Sequence, residues 1–313
     1  MISFIDEHRD RFGVEPMCRV LSQHGLHVAP STYYAARHRP PSKRAVEDAA
    51  LLVEIRRVFE DRRLGRRLYG ARKVWRQLHR EGIHVGRGRV ERLMRANGLV
   101  GARRDKRIRT TRPDASAARP ADLVQREFRA SRPNELWVVD FTYVATWSGM
   151  AFTAFVSDVF SRRIVGWRTA SSMPTELPLD ALDMALWTRD RNGEDVTGVI
   201  HHSDAGSQYL ALRYTGRLDD AGAVASIGTV GDSFDNAMAE SVIGLYKREC
   251  VRHDGPFRTV DELELATLSW VDWWNHERLH GELGHVPPIE FETEHYRQIN
   301  TQQQPPLGEP SLH

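Results

Sequence analysis

Between residues 135 and 250, apolar and polar stretches follow one another in an order that few folds accommodate. "ELWVVDFTYVAT" (135–146), "AFTAFVSDVF" (151–160) and "RRIVGWRTA" (162–170) are rich in β-branched and aromatic residues, and short turns with Ser-Gly and Ser-Arg separate them. They read as an antiparallel meander. A helix is expected near 175–189, where Leu179, Leu182, Ala185 and Leu186 share a face. A strand at 196–202, a helix near 207–221, a strand at 223–230 and a long helix near 235–250 complete the order. Three strands followed by alternating helices and strands fit a mixed sheet with helices on its faces, an α/β fold. Another amphipathic helix is expected at 261–280, and the tail "TQQQPPLGEPSLH" reads as disordered.

Upstream, three helices are expected. In 47–61, Leu51, Leu52, Ile55, Val58 and Phe59 recur at helical spacing. In 70–81, Ala71, Val74, Trp75 and Leu78 share a face; in 87–96, Val90, Leu93 and Met94 turn inward. Two short helices joined by "GIHVGRG", the second rich in arginine, read as a helix-turn-helix with Arg87, Arg89, Arg92 and Arg95 left for solvent or a ligand. An ordinary helical bundle with a solvated charged face shows the same pattern, so charge has to separate the two. Residues 37–132 hold 28 Lys/Arg against 11 Asp/Glu, whereas residues 133–313 hold 13 against 27. "GARRDKRIRTTRP" (101–113) carries six basic side chains, among them Arg103, Arg104, Lys106 and Arg107. A basic block of this density is expected to follow a phosphate backbone, and the acidic block to hold metal ions.

Three carboxylates stand out by position. Asp140 ends the apolar part of the first strand, Asp204 follows the strand 196–200 within "HHSDAGSQY" (201–209), and Glu240 sits on the helix 235–250. In a sheet of the ribonuclease H type the first and fourth strands lie side by side, so Asp140 and Asp204 can meet. A helix across their ends can add Glu240. Acids gathered this closely raise one another's pKa, and divalent cations remove the conflict. Mg²⁺ (or Mn²⁺) takes oxygen ligands and completes its shell with water and substrate phosphate, and two such ions suit an in-line phosphoryl transfer. On these grounds alone Asp158, Asp232 and Asp235 compete for the same role.

Spacing decides between them. Asp204 and Glu240 have 35 residues between them, and around the three acids stand "WVVDFTYV" (137–144), "HHSDAGSQY" and "DNAMAESVIGLYKRE" (235–249). This arrangement resembles the DDE transposases of bacterial insertion sequences, in particular the downstream-frame (OrfB) product of the IS-three family, whose core retroviral integrases share more distantly. "YGARKVWRQLHREGIHVGRGRVERLMRANGLVG" (69–101) resembles that family's helix-turn-helix segment. "WWNHERLHGELGHVPPIEFE" (273–292) resembles its C-terminal signature, with Asn275, Arg278, His280, Leu283 and Pro287 in place. The resemblance implies Asp140, Asp204 and Glu240 as the metal-binding catalytic triad, with Asp140 bridging two ions. It also implies that Lys247, two helical turns after the glutamate, contacts a DNA phosphate. His202 and Asn236 are expected to support the carboxylates from behind; Asn236 could equally cap its helix or contact DNA. One position departs from the family: Ala205 stands where arginine usually follows the second aspartate.

The implied activity is Mg²⁺-dependent cleavage at the ends of a mobile element, followed by joining to target DNA. The expected partners are the element's terminal inverted repeats and target DNA, a second copy of the chain in the active complex, and an upstream-frame product supplying a further DNA-binding and dimerisation module. An inactive DNA-binding regulator, or a metal-dependent nuclease without joining activity, would retain parts of the same pattern. Two cysteines, Cys18 and Cys250, cannot build a disulfide framework or a four-cysteine zinc site, and no apolar run approaches membrane length. A cytoplasmic location is expected. The domain layout read from these features is an N-terminal segment (1–44), a helix-turn-helix domain (45–101), a basic linker (102–132), a ribonuclease H-like core with its C-terminal helix (133–295) and a disordered tail (296–313).

Overall fold

A computed structural model describes residues 1–102, 129–172, 176–203, 212–227 and 237–303. Two compact units emerge, Met1–Glu54 and Ile55–His313. The first contains helices α1 (Ile2–Phe12), α2 (Val14–Gln23) and α3 (Pro30–His38) and the start of α4 (Lys43–Glu60). Ile5, Met17, Cys18, Val28 and Tyr33 form its small core. The Tyr33 hydroxyl donates to Asp6 Oδ1 at 2.8 Å, and Arg37 closes an ion pair on the same carboxylate.

The second unit begins with the end of α4 and continues through α5 (Ala71–Arg80) and α6 (Arg87–Ala96). Val74 and Leu78 of α5 and Val90, Leu93 and Met94 of α6 are buried, which matches the expected inward faces. The Trp75 indole donates to the Val85 carbonyl at 2.8 Å and pins the connecting turn.

The sheet is built from β1 (Leu136–Thr146), β2 (Gly149–Asp158), β3 (Ile164–Ala170), β4 (Ile200–Ser203) and β5 (Val224–Ile227) in the order β3-β2-β1-β4-β5. The first three strands pair antiparallel, while β4 runs parallel to β1 and to β5. This is the mixed sheet of the ribonuclease H type, with β1 beside β4 as the element order required. Helices α7 (Glu176–Arg191) and α8 (Leu212–Asp220) contribute to the larger core, with Trp137 and Val139 of β1. Gly166 of β3 lets α7 come close, because a Cβ there would stand 2.1 Å from the Ala181 carbonyl oxygen. The opposite face carries Leu136, Val138 and Val159 against Met238 and Ala239 of α9 (Ala237–Tyr246).

Several expectations about boundaries change. The strand expected at 196–202 begins only at Ile200, after a turn at Thr197 and Gly198. The helix expected over 235–250 is α9 followed by a five-residue π-helix, Lys247–Val251, and the short α10 (Arg252–Asp254). The helix expected over 261–280 is α11 (Val260–His276), started by the Thr259 hydroxyl accepting from the Glu262 amide. It stops four residues early because the chain turns away so that His280 can bridge Val286. The tail expected to be disordered from 296 is helical as far as Gln303, in α12 (Pro288–Gln303). Bonds from Arg297 and Gln298 to Glu294, and from Thr301 to the Arg297 carbonyl, support that helix along its exposed side.

The helix-turn-helix region is seated on the C-terminal helices of the same unit. The Trp273 indole donates to the Leu64 carbonyl at 2.9 Å, the Leu279 amide donates to the Tyr69 hydroxyl at 2.9 Å, and Arg80 pairs with Glu290 of α12.

Candidate active site and nucleic-acid interface

Alternation along β1 assigns its faces. Trp137 and Val139 enter the α7–α8 core, whereas Leu136 and Val138 face α9, so Asp140 shares the α9 face. Asp140 is half-buried, and its Oδ1 accepts from the Phe141 amide at 2.8 Å. On α9, Met238 and Ala239 are buried against β1 and the next residue, Glu240, is exposed in the helix's first turn. Lys247 follows α9 directly as the first residue of the π-helix, half-buried, with its ammonium 5.0 Å from the centre of the Tyr143 ring. Burial lowers its pKa; Asp140 pulls it back up and Arg252 pushes it down. The structure thus brings Lys247 within electrostatic reach of Asp140.

Strand β4 runs beside β1 with Val138 opposite His202 and Val139 opposite Ser203. The next positions in sequence are Asp140 and Asp204. Asp204 lies outside the described residues, as do Asn236, Arg103, Arg104, Lys106 and Arg107. The two histidines before Asp204 point to opposite faces of the sheet. His202, on the α9 face, is buried with Nδ1 3.0 Å from the Ser226 hydroxyl of β5. His201 enters the other core, where its Nε2 lies 2.9 Å from the Tyr214 hydroxyl.

Burial pushes His201 down to about 4. An imidazole in the unfolded chain titrates near 6.5, so between the two values the unfolded state binds more protons. Stability from neutral His201 is therefore complete above about pH 6.5 and is lost as the pH falls toward 4. Acidification from about pH 7.5 to about pH 5 is expected to cost roughly 2 kcal/mol at this site. His201→Gln should flatten the dependence, which melting temperatures at the two pH values will check.

Asp158, one of the competing acids, has another task. It is fully buried, accepts from the Asn134 amide at 2.8 Å and pairs with Arg189 at 3.2 Å. Burial raises its pKa and Arg189 opposes that rise. A carboxylate held in this way cannot meet a substrate phosphate.

On α6, Arg87 and Arg92 are exposed and Arg89 is partly so; Arg87 pairs with Glu91 at 3.2 Å on the same helix. The helix thus presents arginines on the side away from Val90, Leu93 and Met94. Sequence reasoning assigned no partners to Glu249, Lys73 or Arg278, which cluster beside the π-helix. The C-terminal signature containing Arg278 was the available signal.

Models of the integrase core domain match residues 130–233 and 222–288, and a model of an HTH-like domain matches residues 46–107. These matches, with the sheet topology, define a polynucleotidyl transferase of the integrase-core class. The chain is 51% identical over 282 residues to the putative transposase for insertion sequence element IS986/IS6110 of Mycobacterium tuberculosis, covering 90% of this chain and 99% of that protein. It is 50% identical over 304 residues to the transposase for IS629 of Shigella sonnei, covering 96% and 98%. A chain of the simian T-cell lymphotropic virus intasome aligns at 14% identity over 76% of this chain and 77% of its own, with a TM-score of 0.44. The chain belongs to the insertion-sequence transposases of the IS-three family. Among the described residues, no helix is long and apolar enough to cross a membrane.

Proposed function

We propose that this transposase cuts and joins DNA strands at the ends of its element through Asp140, Asp204 and Glu240 holding two Mg²⁺ (or Mn²⁺) ions. The observation that carries the reading is the placement of Asp140 and Glu240 on facing elements, β1 and α9, with Lys247 at the start of the π-helix that continues α9. Among the described residues no group of three His, Cys, Asp or Glu forms a metal site, and the third acid of the reading lies outside them. The donors that are described are carboxylate oxygens, which fit Mg²⁺ and offer nothing to softer metals. Bound there, the ions would supply charge stabilisation at the reacting phosphate and a more acidic attacking water.

The protein's own contribution is positional. Asp140 and Glu240 hold the ions between strand and helix, while Lys247 contacts a non-bridging phosphate oxygen. His202, fixed by Ser226, supports the Asp204 side of the site, and Asn236 supports Glu240. In the first step a water oxygen bonds to phosphorus and the 3′ oxygen of the element leaves as a hydroxyl. In the second, that hydroxyl bonds to a target phosphorus and another 3′ oxygen leaves. Two element ends must be held together for this, so the active form is an oligomer of this chain, acting on DNA in the cytoplasm. The test is incubation of the full chain with short duplexes from the DNA flanking its coding sequence, with Mg²⁺ or Mn²⁺. Cut and joined strands on denaturing gels are expected. Cutting without joining would favour a nuclease; binding without cutting would favour a regulator.

DNA capture is assigned to α6, with Arg87, Arg89 and Arg92, and to the basic stretch containing Arg103, Arg104, Lys106 and Arg107. Deleting residues 1–132 would strip Leu64 and Tyr69 from their partners in 273–279, so substitution is the cleaner probe. Arg92→Ala is expected to weaken binding to element and random duplexes alike, and to reduce the slope of log affinity against log salt by about 0.9. Titrations at several salt concentrations will show it; an unchanged slope removes Arg92 from the interface.

A further inference from the structure

The signature residues Asn275, Arg278 and His280 have structural partners that the catalytic reading leaves unused. Asn275 matches the edge of β3 like a strand: its Oδ1 accepts from the Ile164 amide at 2.9 Å and its Nδ2 donates to the Ile164 carbonyl at 2.8 Å. His280 stacks edge-on against Trp274 at 4.5 Å. Arg278 reaches into the π-helix that follows α9. Its Nε and Nη2 donate to the two oxygens of Glu249, each at 2.8 Å, and both side chains are buried. The guanidinium carbon lies 4.6 Å from the Trp274 ring centre and 5.8 Å from that of Trp273, which fixes its plane.

A π-helix is rare and needs tertiary contacts to hold its wider turn. Contacts of the segment Lys247–Val251 include Lys247 against the Tyr143 ring, Glu249 on Arg278, and Cys250 fully buried. Its first residue is Lys247, whose ammonium lies 5.0 Å from the centre of the Tyr143 ring on β1, the strand that carries Asp140. The turn therefore links the Glu249–Arg278 pair to the phosphate-contacting end of the catalytic helix. We infer that Arg278 is a positioning residue, whose forked pair with Glu249 sets the turn that places Lys247 against Tyr143 of β1, the strand that carries Asp140. This rests on the reading of Lys247 as a phosphate contact. The fork and the stacking both require arginine, since a lysine offers a point charge without a plane.

Only four of the chain's 44 basic side chains are lysines: Lys43, Lys73, Lys106 and Lys247. Acetylation of each is thus separable by mass spectrometry. Full-length Arg278→Lys and Glu249→Gln, each compared with the parent, should melt cooperatively. Labelling of Lys247 at fixed pH, without DNA or metal and relative to exposed Lys43, is expected to rise severalfold in both. Single-turnover cleavage of duplex from the element's end is expected to fall by about 10²-fold, the scale of an ångström-sized misplacement, with duplex affinity unchanged. Unchanged labelling of Lys247, or parental cleavage in either folded variant, overturns the inference. So does unfolding of both variants, because the pair then supports the fold as a whole. If the parent itself cuts no DNA, the functional reading fails while the labelling still decides the positioning.

Discussion

Glu240→Gln is expected to lower metal-dependent strand cleavage by about 10³-fold or more, with Asp140→Asn doing the same, while affinity for duplex DNA stays at the parental level. Both substitutions keep side-chain size and remove one negative charge from the metal-holding set. The loss of several kcal/mol of charge stabilisation at the reacting phosphate sets the scale, since each 1.36 kcal/mol is about tenfold in rate. Glu240 is exposed and Asp140 half-buried, so neither change empties the core and the variants should melt like the parent. Affinity should hold because most of the basic side chains assigned to DNA lie elsewhere, on α6 and beyond it, and both substitutions leave Lys247 in place. A variant that cleaves at the parental rate removes that residue from the reacting centre.

The second large effect concerns stability. Arg189 is fully buried and serves three carboxylates: Glu292 through bonds of 2.8 and 3.0 Å, Glu194 at 2.5 Å and Asp158 at 3.2 Å. Ser161 and Arg163 add further bonds to Glu292, at 2.6 and 2.7 Å. The cluster joins the end of β2, helix α7 and helix α12. Arg189→Met fills much of the same space but leaves Asp158 and Glu292 buried near each other with less compensation. Breaking a buried pair from one side costs roughly 3–5 kcal/mol. For a unit of this size that is a fall in melting temperature on the order of 10 °C. Scanning calorimetry measures it, with the exposed Arg297→Ala as a control expected to melt like the parent. Equal melting of Arg189→Met would mean that the cluster is dispensable.

The parts of the fold that could be read from sequence are those where one residue type dominates a face. β1 to β3 are apolar enough to be seen as strands, and the alternating helices and strands after them leave little choice of topology. Asp140 is conspicuous because an acid interrupts an apolar run. Glu240 is not, since an exposed acid on a helix is ordinary; only its spacing from Asp204 within the family pattern singles it out. Helix α1 escaped notice because it has a single fully buried side chain, Ile5, among many charged ones. Nothing local in "KRECV" announces a π-helix, because a partner 29 residues away, Arg278, holds Glu249. The end of α11 was overrun for a related reason. Trp270, Trp273 and Trp274 extend the helical periodicity, yet Leu279 and His280 are needed elsewhere, on Tyr69 and Val286.

Asp204 bears the most weight, because its role rests on spacing and on the register that leads β1 and β4 up to it. The decisive measurement is the cleavage and joining of flanking-sequence duplexes by Asp204→Ala in Mg²⁺ and in Mn²⁺, beside the parent. The account predicts cut and joined strands from the parent and neither from the variant, with DNA binding retained. Equal activity of the two proteins would contradict it.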